Sequence, residues 1–361
     1  MEVIKVLIVD DSALVRQTFK SLLESDPDIR VIGTASDPYI AVQKIQKERP
    51  DVITLDIEMP KMDGLTFLTK IMKQAPMPVV VISNQTLKGA EAALKALESG
   101  AVDVMTKPNL SSQQLWEESR ISLIDKVKSA FYARSERSRQ EDASLTPGTN
   151  HNKDTSSGGP IKNFAHGSNT VIAVGASTGG TEAIKNFLQV LPERMPPILI
   201  VQHMPEKFTA SFAKRLNESC ALTVKEAENN EEILNGTVYI APGGRHMSVI
   251  RSGSRKVLRI SDGELVNRHR PSVNVLFNSV AETIGKHGIG IILTGMGDDG
   301  ATGLLAMRQR GAFTIAQDEA SSVVYGMPYK AVLHGAAEKV LPLSRIAQHV
   351  CDYLQSEAVP H

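Results

Sequence analysis

Residues 170–180 read TVIAVGASTGG and combine a buried strand with a sharp turn. The first six residues are β-branched or small and mostly apolar, which is typical of a strand inside an α/β sheet. The following Gly-Ala-Ser-Thr-Gly-Gly predicts a tight turn, and we expect a helix from Thr181. This arrangement places Ser177 at the carboxyl end of the strand.

The spacing of Gly175, Ser177 and Gly179 is that of a nucleophile elbow, in which small neighbours let the backbone present a serine oxygen to a substrate. Two other interpretations fit the same residues: a Gly-rich turn without chemistry, and a loop that cradles phosphate. A dinucleotide site is typified by G-x-G-x-x-G, and Ser177 stands where the second glycine belongs. The spacing alone leaves these alternatives open.

The composition of the 361 residues limits the function. This length favours two domains, and forty basic and forty acidic residues cancel, which gives no electrostatic reason to expect nucleic acid or an anionic membrane as a partner. Cys220 and Cys351 lack metal-ligand spacing and indicate a reduced compartment. The opening MEVIKVLIVDDSAL resembles neither a signal peptide nor a membrane span, and no later run reaches about 18 apolar residues. We therefore expect a cytoplasmic protein without membrane insertion.

Apolar runs alternate with helix-like segments through the first 125 residues, which predicts a doubly wound parallel sheet of five strands. The predicted strands are 3–9, 29–35, 52–55, 79–82 and 102–105, and the predicted helices begin at Ala13, Pro38, Gly64, Lys88 and Ser111. Sites in such sheets form at the carboxyl ends of strands.

Polar residues follow four of these strands: Asp10 and Asp11, then Asp56, then Ser83, then Lys107. Three carboxylates suit a hard divalent cation that bridges protein to phosphate, and a lysine pairs with the phosphate as a point charge. Any one acid taken singly fits a solvated turn or a helix cap. Repetition at successive strand ends favours a metal and phosphate site.

Residues 1–125 resemble a response-regulator receiver domain through Asp10-Asp11, the run LDIEMPKMDGL at 55–65 and Lys107-Pro108. The resemblance implies that Asp56 is the phosphoacceptor, that Ser83 is the hydroxyl switch residue and that Lys107 contacts the phosphoryl group.

The same resemblance implies a Mg²⁺ ion bound by Asp10, Asp11, Asp56 and the carbonyl of Glu58. One position departs from the receiver pattern, because Val104 stands where many receivers carry an aromatic residue. We therefore expect the signal to travel through loop and helix surfaces.

The stretch 134–167 reads RSERSRQEDASLTPGTNHNKDTSSGGPIKNFAHG and predicts a flexible tether, since it has too few apolar residues to fold alone. About 30 such residues span roughly 30 Å on average. The expected organisation is a receiver domain at 1–125, a helix end and linker at 126–168, and a catalytic domain at 169–361.

From Thr170 the alternation resumes and predicts a second doubly wound α/β sheet, mostly parallel, with an antiparallel hairpin. The predicted strands are 170–175, 198–202, 237–240, 247–250, 257–260, 289–294 and 313–317, and the predicted helices begin at Thr181, Thr209, Pro271 and Ala301. No three-helix segment with a basic recognition helix appears, which argues against a DNA-reading domain.

Candidate partners of Ser177 follow other strands at the same edge: His203 in IVQHMP and the pair Asp298-Asp299 in LTGMGDDG. A nucleophilic serine needs a base within hydrogen-bond reach, and the base needs a carboxylate to fix its tautomer. We favour His203, because it follows an adjacent-looking strand. His246 and His269 remain alternative bases, and both acids could instead cap the helix from Ala301.

Six segments resemble the chemotaxis protein-glutamate methylesterase family: GASTGGTEA from Gly175, QHMP from Gln202, YIAPGGRHM from Tyr239, NRHRPSVNVLF from Asn267, LTGMGDDGA from Leu293 and QDEASSVVYGMP from Gln317. The resemblance implies that Ser177 is the nucleophile, His203 the base and Asp299 the third member, with Asp298 at a variable position. It further implies hydrolysis of glutamyl methyl esters on the cytoplasmic regions of chemoreceptors, deamidation of glutamines in some members, a chemotaxis histidine kinase as phosphodonor, and no cofactor for the esterase.

Backbone N–H groups of Thr178 and Met296 are our candidates for the oxyanion hole, because both lie on Gly-bounded turns beside the expected triad. We expect the unphosphorylated receiver to cover the Ser177 edge, and phosphorylation to weaken that interaction. The competing hypothesis is a receiver-controlled binding module that docks on receptors or DNA without turnover, in which Ser177 is only a turn residue.

Overall fold

A computed structural model of the chain describes residues 3–59, 62–108, 112–144 and 169–357, without the side chains of 134–144. Within these ranges the chain forms two compact units, and each is built on its own parallel sheet. No helix in the described ranges is long and apolar enough to cross a membrane.

The first sheet has five parallel strands in the order β2-β1-β3-β4-β5. The chain leaves β1 toward β2 on one side and returns to β3 on the other, so the carboxyl ends of β1 and β3 flank the topological switch point. The elements are β1 Ile4–Val9, α1 Ala13–Leu23, β2 Ile29–Ala35, α2 Pro38–Lys47, β3 Val52–Asp56, α3 Gly64–Gln74, β4 Val79–Ser83, α4 Leu87–Glu98, β5 Asp103–Thr106 and α5 Gln113–Ser144.

Four helices of this unit begin where the sequence supplies a capping side chain. Ser12, Asp37, Asp63 and Thr86 each accept a hydrogen bond from a backbone N–H in the first turn of α1, α2, α3 and α4. These caps satisfy donors that have no partner inside a helix. They explain why the predicted starts at Ala13, Pro38 and Gly64 agree with the structure.

The second sheet has seven parallel strands in the order β14-β13-β12-β6-β7-β9-β8, beside a separate antiparallel hairpin of β10 and β11. Its elements are β6 Val171–Ala176, α6 Gly180–Gln189, β7 Ile198–Gln202, α7 Phe208–Ser219, β8 Thr223–Glu226, β9 Thr237–Ile240, β10 His246–Ser252, β11 Arg255–Ser261, α8 Val273–Thr283, a 3₁₀ turn Gly285–His287, β12 Gly288–Ile292, α9 Ala301–Gln309, β13 Phe313–Gln317, α10 Met327–Leu333, β14 Lys339–Leu341 and α11 Leu343–Glu357.

The central strand β6 is buried along its whole length, as expected of a parallel strand covered by helices on both faces. The chain proceeds from β6 to β7 on one side and later adds β12 on the other, so the second switch point lies between β6 and β12. The hairpin packs on α8, where Ser279 Oγ accepts from the Val249 N–H at 3.0 Å and Thr283 Oγ1 donates to the Val249 carbonyl at 3.0 Å.

The predicted fold class is confirmed, with three differences. The hairpin forms its own small sheet, so the seven-stranded sheet is parallel throughout. The strands β8 and β14 were not predicted, because these short edge strands carry charged residues that break the apolar pattern, and the helices α10 and α11 were also missed. Helix α5 continues to Ser144, into the expected tether, and the rest of that tether lies outside the described residues.

Candidate active site

Ser177 lies in the turn between β6 and α6, at the second switch point. Its N–H donates to the Thr294 carbonyl at 3.0 Å, and its carbonyl accepts from the Gly180 N–H at 2.7 Å and from Gln202 Nε2 at 2.9 Å. Thr294 follows β12 and Gln202 ends β7. The candidate nucleophile is therefore held through its backbone by both neighbouring strands.

Two glycines permit this turn. Gly179 has a φ of 77°, in the left-handed region that favours glycine. A Cβ on Gly295 would lie 2.7 Å from Ser177 Cβ and 2.5 Å from Met327 Sδ, which is too close for any side chain. Gly179 thus lets the backbone turn after Ser177, and Gly295 on the neighbouring loop leaves room for the Ser177 side chain.

A buried network of hydrogen bonds centred on Thr294 holds the turn that carries Ser177. The Thr294 hydroxyl donates to the Thr178 carbonyl at 3.0 Å and accepts from the Val324 N–H at 3.0 Å, while the Thr294 N–H donates to Gln317 Oε1 at 2.8 Å. Buried hydrogen bonds of this kind fix one arrangement, because any broken member would leave an unpaired polar group. The loops that carry Thr178 and Met296, the oxyanion-hole candidates, are thereby brought together at Ser177.

His203 lies beside this turn and contacts a buried carboxylate. The backbone N–H of His203 donates to the carbonyl of Ala176, the residue before Ser177, at 3.1 Å. Its Nε2 lies 2.8 Å from Asp299 Oδ2. Its Nδ1 is buried and has no hydrogen-bond partner among the described residues. One ring nitrogen is therefore engaged by a carboxylate, and the other is available to exchange a proton.

The N-terminus of α8 surrounds Asp299. Oδ2 also accepts from the Val273 N–H at 2.7 Å, and Oδ1 accepts from the Ser272 hydroxyl at 2.8 Å and the Asn274 N–H at 3.1 Å. Burial raises the pKa of Asp299, but the hydrogen bond with His203, the nearby imidazoles of His203 and His269 and the Ser272 hydroxyl together outweigh burial and hold the pKa below its usual value. Asp299 is therefore an anion suited to orient an imidazole and balance its charge.

The interpretation of the two acids as caps of α9 is wrong. The N-cap of α9 is Gly300, and no described side chain caps that helix. Asp298 is exposed, and its Oδ1 accepts from Asn267 Nδ2 at 3.2 Å. Of the two adjacent acids, only Asp299 reaches His203.

The rival histidines have different surroundings. Both ring nitrogens of the buried His246 are used by the backbone: Nδ1 accepts from the Ser272 N–H at 3.2 Å, and Nε2 donates to the Glu264 carbonyl at 2.8 Å. This occupancy leaves neither ring nitrogen of His246 open to another proton donor or acceptor among the described residues and argues against it as a base. His269 instead lies flat against His203, with ring centroids 3.7 Å apart and planes inclined by 10°.

Donor atoms of His203, His269 and Asp299 lie within 4.8 Å of one another, a spacing that a metal ion also requires. The hydrogen bonds already described fill both oxygens of Asp299 and engage His203 Nε2. The arrangement therefore fits a hydrogen-bonded catalytic group better than a metal centre.

A second polar cluster lies at the switch point of the first sheet. The fully buried Asp56 has its Oδ2 2.7 Å from Lys107 Nζ, and Asp10 Oδ2 lies 3.4 Å from the same nitrogen. Burial raises the pKa of Asp56 to about 6, although Lys107 and the Glu58 N–H act in the opposite direction. A bound cation would stabilise the charged form of this buried carboxylate further than the single lysine does.

The carboxylates of this cluster suit a divalent cation. Oxygen atoms of Asp10, Asp11 and Asp56 lie within 4.8 Å of one another, and the buried Asp10 Oδ2 accepts no hydrogen bond from any described residue. The buried hydroxyl of Ser83 likewise has no hydrogen-bond partner in the described ranges. Val104 is buried and pairs with Val81 in the β4–β5 register, so its side chain belongs to the core.

Comparison with known proteins identifies a family for each of the two units. The family described as CheB methylesterase matches residues 172–350, and the family described as response regulator receiver domain matches residues 6–118. Both ranges lie inside the expected domains, whose boundaries remain a prediction.

Curated relatives match almost the whole chain. A protein of Geobacter metallireducens named protein-glutamate methylesterase/protein-glutamine glutaminase 3 is 52% identical over 97% of this chain and 99% of its own length. A protein of Rhodospirillum rubrum, with the same name but number 2, is 52% identical over 96% of this chain and 97% of its own. The crystal structure of the Thermotoga maritima CheB methylesterase catalytic domain superposes with a TM-score of 0.50, at 37% identity over 51% of this chain and 98% of that one.

Proposed function

The chain belongs to the family of protein-glutamate methylesterases with a receiver domain, and from this premise we propose that Ser177, His203 and Asp299 are its catalytic triad. The observation that carries the proposal is the 2.8 Å bond between Asp299 and His203, whose other ring nitrogen is buried and unpaired among the described residues. The hydrogen bond from the backbone N–H of His203 to the Ala176 carbonyl supports the pairing of His203 with Ser177, because it holds the histidine beside the turn that carries Ser177.

The proposed reaction has two halves. His203 Nδ1 takes the proton of the Ser177 hydroxyl, the oxygen attacks the glutamyl ester carbonyl, and methanol leaves with the proton that His203 returns. Water then loses a proton to His203 and attacks the acyl group, and His203 returns that proton to the Ser177 oxygen as its bond to the acyl carbon breaks. The released glutamic acid ionises in water to the carboxylate. Asp299 balances the imidazolium in both halves, and the N–H groups of Thr178 and Met296 are the proposed donors to the oxyanion. An amide substrate follows the same path with ammonia as the leaving group.

We propose Asp56 as the phosphoacceptor and a chemotaxis histidine kinase as the phosphodonor. Mg²⁺ would be held by Asp10, Asp11, Asp56 and the carbonyl of Glu58, and it supplies positive charge to the incoming phosphoryl group when bound. Lys107, already 2.7 Å from Asp56, adds a second positive charge. The hydroxyl of Ser83, which has no hydrogen-bond partner in the part of the chain that the structure describes, is the proposed switch, since a phosphoryl oxygen would give it an acceptor.

Methanol release from methylated receptor membranes tests the esterase directly. The substrate proposed is a glutamyl methyl ester on the cytoplasmic region of a chemoreceptor. A fluorophosphonate probe should label Ser177, because such probes react with activated serines. A binding module without turnover would release no methanol and take up no probe.

Phosphorylation is expected to raise the esterase rate. A fragment beginning near Ser168 should exceed the unphosphorylated full-length protein and ignore a small phosphodonor, because the restraint is proposed to come from the receiver. Asp56→Ala should keep the full-length protein at its low rate under all conditions. The receiver would have to pass from a state that covers the Ser177 edge to one that leaves it open. Reversing that equilibrium completely requires a change in the relative stability of the two states of up to about 5.5 kcal/mol. The measurement is receptor demethylation by the three proteins, each with and without phosphodonor and Mg²⁺. A fragment no faster than the unphosphorylated full-length protein would show that the receiver mainly activates.

A further inference from the structure

We propose that His269 is a positioning residue that fixes the plane of the His203 ring during catalysis. This inference rests on the proposed function, because it assigns His203 as the base. Its first support is the stacking of the two imidazoles, with centroids 3.7 Å apart and planes inclined by only 10°. A flat contact over that distance covers one face of the His203 ring.

The backbone that carries His269 is a tight two-residue turn. Val266 and His269 exchange both backbone hydrogen bonds, at 3.1 and 3.0 Å, around Asn267 and Arg268. These two residues have φ angles of 50° and 66°, the left-handed values that a type I′ turn requires at both central positions. Asparagine tolerates this region, but arginine has no intrinsic preference for it. Such a conformation persists only where its surroundings determine it.

Asn267 makes two hydrogen bonds that hold this turn in place. Its carbonyl accepts from His269 Nδ1 at 2.6 Å, so the Nδ1 of His269 carries a proton and the ring cannot flip without losing this bond. Its side-chain Nδ2 donates to Asp298 Oδ1 at 3.2 Å. Asp298, the exposed neighbour of Asp299, therefore anchors the turn. Two chains of hydrogen bonds thus leave the loop after β12: one runs through Asp299 to His203, and the other runs through Asp298 and Asn267 to His269.

The two series of hydrogen bonds restrain different motions of the His203 ring. The bond from His203 Nε2 to Asp299 fixes one ring atom, but a single hydrogen bond still permits the ring to tilt. The face of His269 blocks that tilt and keeps Nδ1 directed for proton transfer.

The test compares His269→Phe, which keeps a flat ring, with His269→Leu, which fills space without one. Each is made in the full-length chain, activated with a small phosphodonor and Mg²⁺, and assayed by methanol release from methylated receptor membranes. We expect His269→Leu to lower kcat by about 10- to 100-fold with KM unchanged, since misplacing a reacting group by about 1 Å costs up to about 100-fold. His269→Phe should restore most of that loss. His287→Ala, at the amino end of β12, is the matched control and should retain full activity.

The anchor is tested by Asn267→Gly and Asp298→Ala. Glycine adopts φ above zero readily, so Asn267→Gly removes the side-chain bond without straining the turn. We expect each variant to lower kcat several-fold, and the double variant to be no slower than either, because both delete one interaction.

The outcomes separate this inference from the proposed function. Equal kcat values for His269→Leu and His269→Phe would contradict a positioning role, whether both are high or both are low. Full activity of every His269 variant beside an inactive Ser177→Ala would overturn this inference and leave the triad standing. Normal turnover by Ser177→Ala would instead overturn the triad itself.

Discussion

Ser177→Ala is expected to abolish methyl ester hydrolysis while the protein stays folded. The substitution removes the oxygen that the proposed mechanism requires as nucleophile. Loss of a triad serine costs about 10⁴- to 10⁶-fold in rate, and what remains comes from binding and the oxyanion hole. The bonds that hold the turn run from the backbone of Ser177 to Thr294, Gly180 and Gln202, and alanine keeps all of them.

Methanol release and fluorophosphonate labelling measure the effect, and thermal unfolding checks the fold. Ser248→Ala, on β10, is the matched control for loss of a hydroxyl and should be labelled at Ser177 as in the unchanged protein. Substantial turnover by a folded Ser177→Ala protein would show that another residue is the nucleophile.

Asp299→Asn should slow the esterase far more than Asp298→Asn. Asparagine at 299 removes the charge that balances the His203 imidazolium, and its amide can present a donor to Nε2 and favour the wrong tautomer. A comparable change in a serine protease lowers kcat by about 10⁴-fold. Asp298→Asn keeps an oxygen that can accept from Asn267, so its effect should be several-fold at most.

The two variants are compared under identical conditions, as kcat and KM for methylated receptor membranes after activation with phosphodonor. Because Asp299 also accepts from Ser272, Val273 and Asn274, the thermal midpoint of Asp299→Asn must be measured beside its rate. Small and equal rate losses in two folded variants would argue that neither carboxylate serves His203.

The sequence predicted the positions of Ser177 and His203 because strand ends can be read from local patterns. The carboxyl ends of parallel strands lie at the same edge of a sheet. Residues that follow different strands can therefore be predicted to lie close together without knowledge of the tertiary contacts. His246, which follows the turn at 241–244, remains a rival of His203 on the sequence alone. The structure separates them through the Ser272 N–H and the Glu264 carbonyl, which occupy both nitrogens of His246.

The surroundings of Asp299 had no local signal. Residues 272–274 lie about 25 positions before it, and nothing in their types marks them as donors to a distant carboxylate. The turn at 266–269 was equally hidden, because Asn267-Arg268 lacks the glycine that usually marks a type I′ turn. Contacts of this kind arise only when separate segments pack, and a linear pattern cannot display them.

The α8 N-terminus also determines how freely the sequence can vary there. Two of its three donors to Asp299 are main-chain N–H groups, of Val273 and Asn274, which every residue except proline possesses. Substitution of either side chain would leave these two donors in place, but the Asn274 side chain has a separate task, because its Oδ1 accepts from the Gly303 N–H at 2.7 Å and the Thr302 hydroxyl at 3.0 Å. The hydrogen bonds to Asp299 at this point therefore depend mainly on the path of the main chain, whereas the Asn274 side chain serves the start of α9.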